Sequence, residues 1–115
     1  MTTVMLRNIP HKYGAHQLME EIDSLGFFGR YNYFKLPRTV QGRSNSSYAF
    51  LNFLDASDAE AFLHIFHGRR FLAYRSSKCA TVEYAFAQGL ACNLQASLPE
   101  GFVGTDEHAA IARGG

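Results

Sequence analysis

Val4-Met5-Leu6-Arg7-Asn8-Ile9 and Ser46-Ser47-Tyr48-Ala49-Phe50-Leu51-Asn52-Phe53 are the two strings that decide the fold. Each alternates as a strand does when one face is buried and the other open. In the octet, Ala49, Leu51 and Phe53 fall on one face, and Tyr48 and Phe50 on the other. Rings turned away from a core are costly to leave idle in water. They are also the flat surfaces on which the bases of a single-stranded nucleic acid stack.

The remaining elements follow outward from these strands. The first strand covers about Thr3 to Asn8 and ends at Pro10, which cannot extend a ladder. Ala15, Leu18, Ile22 and Leu25 recur at helical spacing, predicting a helix over about Ala15 to Ser24, with Gly26 at a left-handed C-terminal cap. A second strand runs from about Arg30 to Leu36. Phe34 and Leu36 occupy its inner face; Tyr31, Tyr33 and Lys35 occupy its outer face. A polar loop, Pro37 to Asn45, leads to the octet. Ser57-Asp58-Ala59-Glu60 has the pattern of a capping box and opens a helix with an apolar stripe of Ala59, Phe62, Leu63 and Phe66, stopped by Gly68. The fourth strand spans about Lys78 to Ala85, with Ala80, Val82 and Tyr84 inward and Thr81 and Glu83 outward. Ala87, Ala91, Leu94 and Leu98 share a face of a possible third helix over Phe86 to Leu98. Residues 99–115, rich in Gly and Ala, are expected to be mostly disordered, leaving 1–98 as the domain.

Strand–helix–strand–strand–helix–strand fits few topologies once crossovers are right-handed. The expected fold is α+β, a ferredoxin-like βαββαβ sandwich. Its four-stranded antiparallel sheet has the order 4-1-3-2, with both helices on one face. The two opening strings become the central pair, bringing Met5, Arg7, Tyr48 and Phe50 together on the open face.

Net charge is only +1 over 115 residues, but the charges are segregated. The two helices carry Glu20, Glu21, Asp23, Asp58 and Glu60 without a Lys or Arg. The strands and loops hold nearly all the bases. Local field rather than net charge steers a polyanion, and this distribution sets the acids behind the sheet. No apolar run reaches the roughly 18–20 residues of a membrane span, and no charged leader precedes an apolar stretch, so neither membrane association nor a secretory signal is expected. Cys79 and Cys92 lack metal or redox spacing and suit free thiols in a reducing intracellular compartment, nuclear or cytoplasmic. The histidines share no ligand spacing. No metal, cofactor or catalytic residue is expected. Small phosphatases share this topology, but the chain shows neither a Gly-rich anion loop near the first strand nor an acid–base pair in a cleft.

The central strings resemble the two signatures of the RNA recognition motif, whose octamer is Lys/Arg-Gly-Phe/Tyr-Gly/Ala-Phe-Val-x-Phe/Tyr. Tyr48, Ala49, Phe50 and Phe53 match it, and Leu51 replaces Val; Ser46 and Ser47 depart from the basic residue and the Gly. Met5 stands where the hexamer usually carries a ring. Thr3 to Pro10 with Lys12 and Tyr13, then Glu20 to Asp23, Tyr48 to Phe53, and Tyr84-Ala85 with Gln88-Gly89, are similar to the C-terminal motif of the Mei-two-like meiosis regulators. Met at the hexamer position is normal in that subfamily. The resemblance covers about Thr3 to Leu94. It implies a eukaryotic regulator that binds single-stranded RNA, often beside neighbouring RNA-binding domains in a longer protein.

The expected RNA contacts follow from these positions. Phe50 and Tyr48 stack bases, Met5 packs beside them, and Tyr33 extends the platform onto the second strand. Lys35, Arg38 and Arg43 rim one side; Lys12 and the bases at 69, 70 and 75 reach backbone phosphates if their loops allow. Arg7 has two compatible roles, an RNA contact and a cross-strand salt bridge to Glu83. Glu83 itself repels phosphate but can accept from a base amino group. Asn8 and Asn52 are assigned to turns and edges. Two alternatives stay open: the rings can lie under the third helix or another chain, and the same fold can serve as a protein-interaction module.

Overall fold

The computed structural model describes residues 1–96 and Ala110–Ala112. The elements run β1 (Thr3–Arg7), α1 (Ala15–Ile22), β2 (Tyr31–Lys35), β3 (Tyr48–Phe53), α2 (Ala56–Phe66), β4 (Thr81–Tyr84), α3 (Leu90–Ala96) and β5 (Ala110–Ala112). The sheet order is β4-β1-β3-β2-β5, and all pairs are antiparallel. Its first four strands are the expected 4-1-3-2 arrangement of a ferredoxin-like α+β fold. Within the stretch expected to be disordered, Ala110–Ala112 forms a short strand on the outer edge of β2. The rest of 97–115 lies outside the described residues.

Alternation works as anticipated in the central strands. Val4, Leu6, Ala49, Leu51 and Phe53 are buried against α1 and α2, whose Leu18, Ile22, Ala59, Phe62 and Phe66 complete the core. Phe27 and Phe53 meet Phe62 at 5.3 and 5.2 Å between ring centroids, and Phe62 stacks on Phe66 at 5.0 Å. Gly26 takes φ +101° at the end of a wide turn, Asp23–Phe27, that continues α1. This is the left-handed position a C-terminal stop requires.

Three local expectations are corrected. Asp55, in extended conformation, precedes the first residue of α2, so the helix begins before Ser57 and no side-chain cap bond forms. The octet enters its ladder only at Tyr48, because Ser47 adopts φ +70°. A register shift between Tyr31 and Tyr33 breaks the alternation of β2, so Tyr31 joins the core and its hydroxyl donates to Asp23 Oδ1 at 2.7 Å. Among the described residues, no helix is long and apolar enough to cross a membrane, and no group of three or more His, Cys, Asp or Glu could hold a metal ion.

Candidate nucleic-acid interface

Strand register arranges the outward side chains of the sheet in three rows. The first joins Thr3, Asn52 and Tyr33; the second joins Glu83, Met5, Phe50 and Lys35; the third joins Thr81, Arg7 and Tyr48.

The first row is sealed. Thr3 is 0% exposed, Asn52 4% and Tyr33 1%. The Thr3 hydroxyl donates to Asn52 Oδ1 at 2.7 Å and accepts from the Gly89 N–H at 2.9 Å and Asn93 Nδ2 at 3.1 Å. That uses all of a hydroxyl's hydrogen-bonding capacity. Gln88 Oε1 accepts from the backbone N–H groups of Thr2 and Thr3, while its Nε2 donates to the carbonyls of Thr3 and Ala85. The segment from Ala85 into α3 is thus fastened by polar bonds, and Asn93 is the buried residue of α3 among those described. Ala91, expected on the apolar stripe, is exposed. Tyr33 therefore does not extend the ring platform: burial withdraws it. Asn52 is no edge residue but part of a buried network on a central strand.

The other two rows stay accessible. Phe50, Tyr48, Met5 and Lys35 are all part-exposed, and the two rings meet edge to face at 5.7 Å with a 79° interplanar angle. The segment 86–96 therefore does not seal them as it helps to seal the first row. Burial holds the Lys35 ammonium below the ordinary lysine range. Arg7 Nη1 lies 3.3 Å from Glu83 Oε1, both side chains about half exposed. An exposed pair of this kind adds about 0–1 kcal/mol, little enough for the guanidinium to turn toward a ligand. Beside Tyr48 lies a shallow pocket of about 410 Å³, lined by Arg7, Asn8, Ser46, Ser47 and Thr81. Asn8 and Ser47, both with positive φ, pin its rim. Asn8 Nδ2 donates to the Cys79 carbonyl at 3.2 Å and Ser47 Oγ to the Ile9 carbonyl at 2.9 Å. Asn8 stands just past the end of β1, with φ +66°.

The basic rim is less uniform than the sequence suggested. Arg38 folds back within its own loop, its Nε donating to the Gly42 carbonyl at 3.1 Å. Arg43 is exposed on that loop, and Lys12 is exposed on the loop between β1 and α1.

That loop is braced by residues the sequence reading passed over. Asn45, 0% exposed, donates to the carbonyls of Pro10 and Tyr13 at 2.9 and 3.0 Å. The Tyr13 hydroxyl donates to the Glu21 carboxylate and accepts from the Ala73 N–H at 3.0 Å. Glu21 also accepts from the Leu72 N–H at 3.2 Å. Three loops are thereby joined at one end of the sheet. Tyr13 and Glu21 stood in the strings that carry the family resemblance, but no periodicity or spacing marked them as partners.

Burial first, and the bond to Glu21 second, push the Tyr13 hydroxyl up to about 12 from its ordinary 10. Below pH 10 this phenol is protonated in both folded and unfolded chains. Between about 10 and 12 the unfolded chain releases the proton while the folded chain keeps it, so stability falls as pH rises through that window. Urea unfolding at stepped pH is expected to show the advantage of the wild type over Tyr13→Phe shrinking across it. Parallel curves for the two proteins would contradict this assignment.

The chain belongs to the family described as RNA recognition motif 2, whose model matches residues 1–97. The family is one of RNA-binding domains, and the fold is that of solved RNA recognition motifs. Within the family the chain is similar to the MEI2-like proteins. It is 37% identical over 90 residues to rice protein MEI2-like 5 (Oryza sativa subsp. japonica), covering 78% of this chain and 11% of that protein. To Arabidopsis thaliana MEI2-like 1 it is 35% identical over 88 residues, covering 76% and 10%. The chain thus spans about a tenth of the length of these curated relatives. Among solved structures, the Rna15 RRM with bound RNA (GU) aligns with a TM-score of 0.65 and 17% identity, covering 82% of this chain and 93% of that one. The Sex-lethal protein–RNA complex aligns at 0.60 and 19%, covering 76% and 48%.

Proposed function

We propose that the domain binds single-stranded RNA by stacking two bases, or a base and a ribose, on Phe50 and Tyr48. The observation that carries this reading is the pair of part-exposed rings, side by side on central strand β3. Met5 offers a polarisable thioether next to Phe50. Lys35 closes the row on one side, and Arg7 presents donors for a base edge or phosphate. The RNA-bound neighbours in fold and the membership of an RNA-binding family support the ligand class. Similarity to MEI2-like proteins supports a role in RNA-dependent meiotic or developmental regulation, and we place it in a reducing nuclear or cytoplasmic compartment on the two free thiols, Cys79 and Cys92.

Each stacked base contributes about 1–3 kcal/mol, so two stacks and a few phosphate contacts reach about micromolar affinity. Titration with a pool of short single-stranded RNAs at low salt tests the reading. Phe50→Ala is expected to weaken binding by about 5- to 150-fold, with the melting temperature little changed because the ring is only part-buried. Absence of binding by the wild type, or an unchanged affinity in a folded Phe50→Ala protein, would sink the stacking reading and favour a protein-docking role for this face.

A further inference from the structure

The loop brace around Tyr13 and Glu21 shapes a groove away from the two rings. The Tyr74 hydroxyl, shared between the Lys12 carbonyl at 3.3 Å and Gln17 Oε1 at 3.0 Å, closes its floor. The groove has two open lobes, of about 420 and 590 Å³, which share Tyr74, Arg75 and Ser76. Lys12 and Lys78 wall the smaller lobe, and Arg70 the larger; among the described residues no carboxylate lines either. His11 joins this groove to the ring face. It lines the smaller lobe, and its ring lies 3.3 Å from the Ser47 Oγ that edges the pocket beside Tyr48.

We infer that this groove is a second anion subsite, holding the sugar–phosphate backbone of an RNA strand as it runs off Tyr48. The inference rests on the RNA reading above and extends it past the sheet. Four cations without an acid among them make a field that a polyanion seeks. The polar groups of the walls suit phosphate: beside the His11 imidazole they are ammonium, guanidinium and hydroxyl donors. Continuity with the ring face favours the same strand as occupant over an acidic polypeptide. The brace matters because it fixes the two loops before the ligand arrives, so less ordering is required on binding.

Fluorescence anisotropy with labelled single-stranded RNA pools of roughly four and roughly ten nucleotides tests this. The wild type is expected to bind the longer pool at least about tenfold more tightly. The triple variant Arg70→Gln/Arg75→Gln/Lys78→Gln removes three side chains that take no part in the brace. It is expected to lose that advantage while keeping its affinity for the shorter pool. It should also flatten the slope of log affinity against log salt by about two, at about 0.7 per phosphate. A triple variant that still prefers the longer pool overturns this inference and leaves the stacking reading standing. So does a wild type that binds both pools equally. Displacement of the longer pool by polyglutamate as effectively as by polyuridylate also overturns it, in favour of a protein partner. Failure of the wild type to bind either pool overturns both readings together.

Discussion

Phe62→Ala is expected to lower the unfolding free energy by about 3–5 kcal/mol, the largest effect of any single substitution considered. The ring is fully buried on the inward face of α2. It lies in the middle of an aromatic chain, stacked on Phe66 and in contact with Phe27 and Phe53. Truncation leaves a cavity that three neighbours from three separate elements cannot close without abandoning one another. A domain of this size holds about 5–15 kcal/mol in total, so the variant sits close to unfolding. Urea denaturation followed by far-ultraviolet circular dichroism gives the number. A loss below about 1 kcal/mol would mean that the site collapses readily and is not packed as described. The substituted ring points away from the open face of the sheet, so whatever fraction stays folded should bind RNA as the wild type does.

Thr3→Val is expected to cost about 2–4 kcal/mol through hydrogen bonds rather than packing. Valine has nearly the same shape, so no cavity opens. What disappears is a hydroxyl that serves Asn52, Gly89 and Asn93 at once. Asn52 keeps its contact with the Thr2 hydroxyl and its bond to Asn32, but the Gly89 N–H loses the acceptor that fastened it to β1. The loss should be local as well as global. Amide hydrogen exchange is expected to accelerate over residues 85–96 well before it does in β1 or β3. Uniform exchange across the domain, or stability unchanged within about 0.5 kcal/mol, would show that the polar network does not hold this segment.

Much of the fold was readable because each central strand obeys a period of two and each helix presents one apolar stripe. Val4 and Leu6, or Ala59, Phe62 and Phe66, face the core for no reason beyond spacing. The two rings of the candidate site were legible on the same ground. The departures occur where a local rule met a tertiary contact. Tyr31 was set on the outer face because alternation was carried through β2 without its irregularity, a backbone event with no residue signature in Arg30 to Leu36. Tyr33 does stand in the outward row and is buried there, where α3, distant in sequence, packs on β2. Asn52 was assigned to an edge, and Thr3 carried no signal beyond the start of a strand. Their partners, Gln88 and Asn93, are more than thirty positions from the nearer of the two and belong to a segment whose apolar stripe suggested a different face. Tyr13 and Glu21 were hidden for a similar reason. The groups they satisfy are backbone N–H groups of a loop, at Leu72 and Ala73, which carry no identity in a sequence.

The pairing of Arg7 with Glu83 bears on the order of events when a strand arrives. The centre of the ring face offers an oriented pair of opposite charges instead of a free cation, so it exerts little pull at a distance. Encounter rates respond to long-range field, while residence times respond to close contacts. In the proposed stacking mode this face therefore governs how slowly RNA leaves. How fast it is captured falls to the unneutralised cations at the rim.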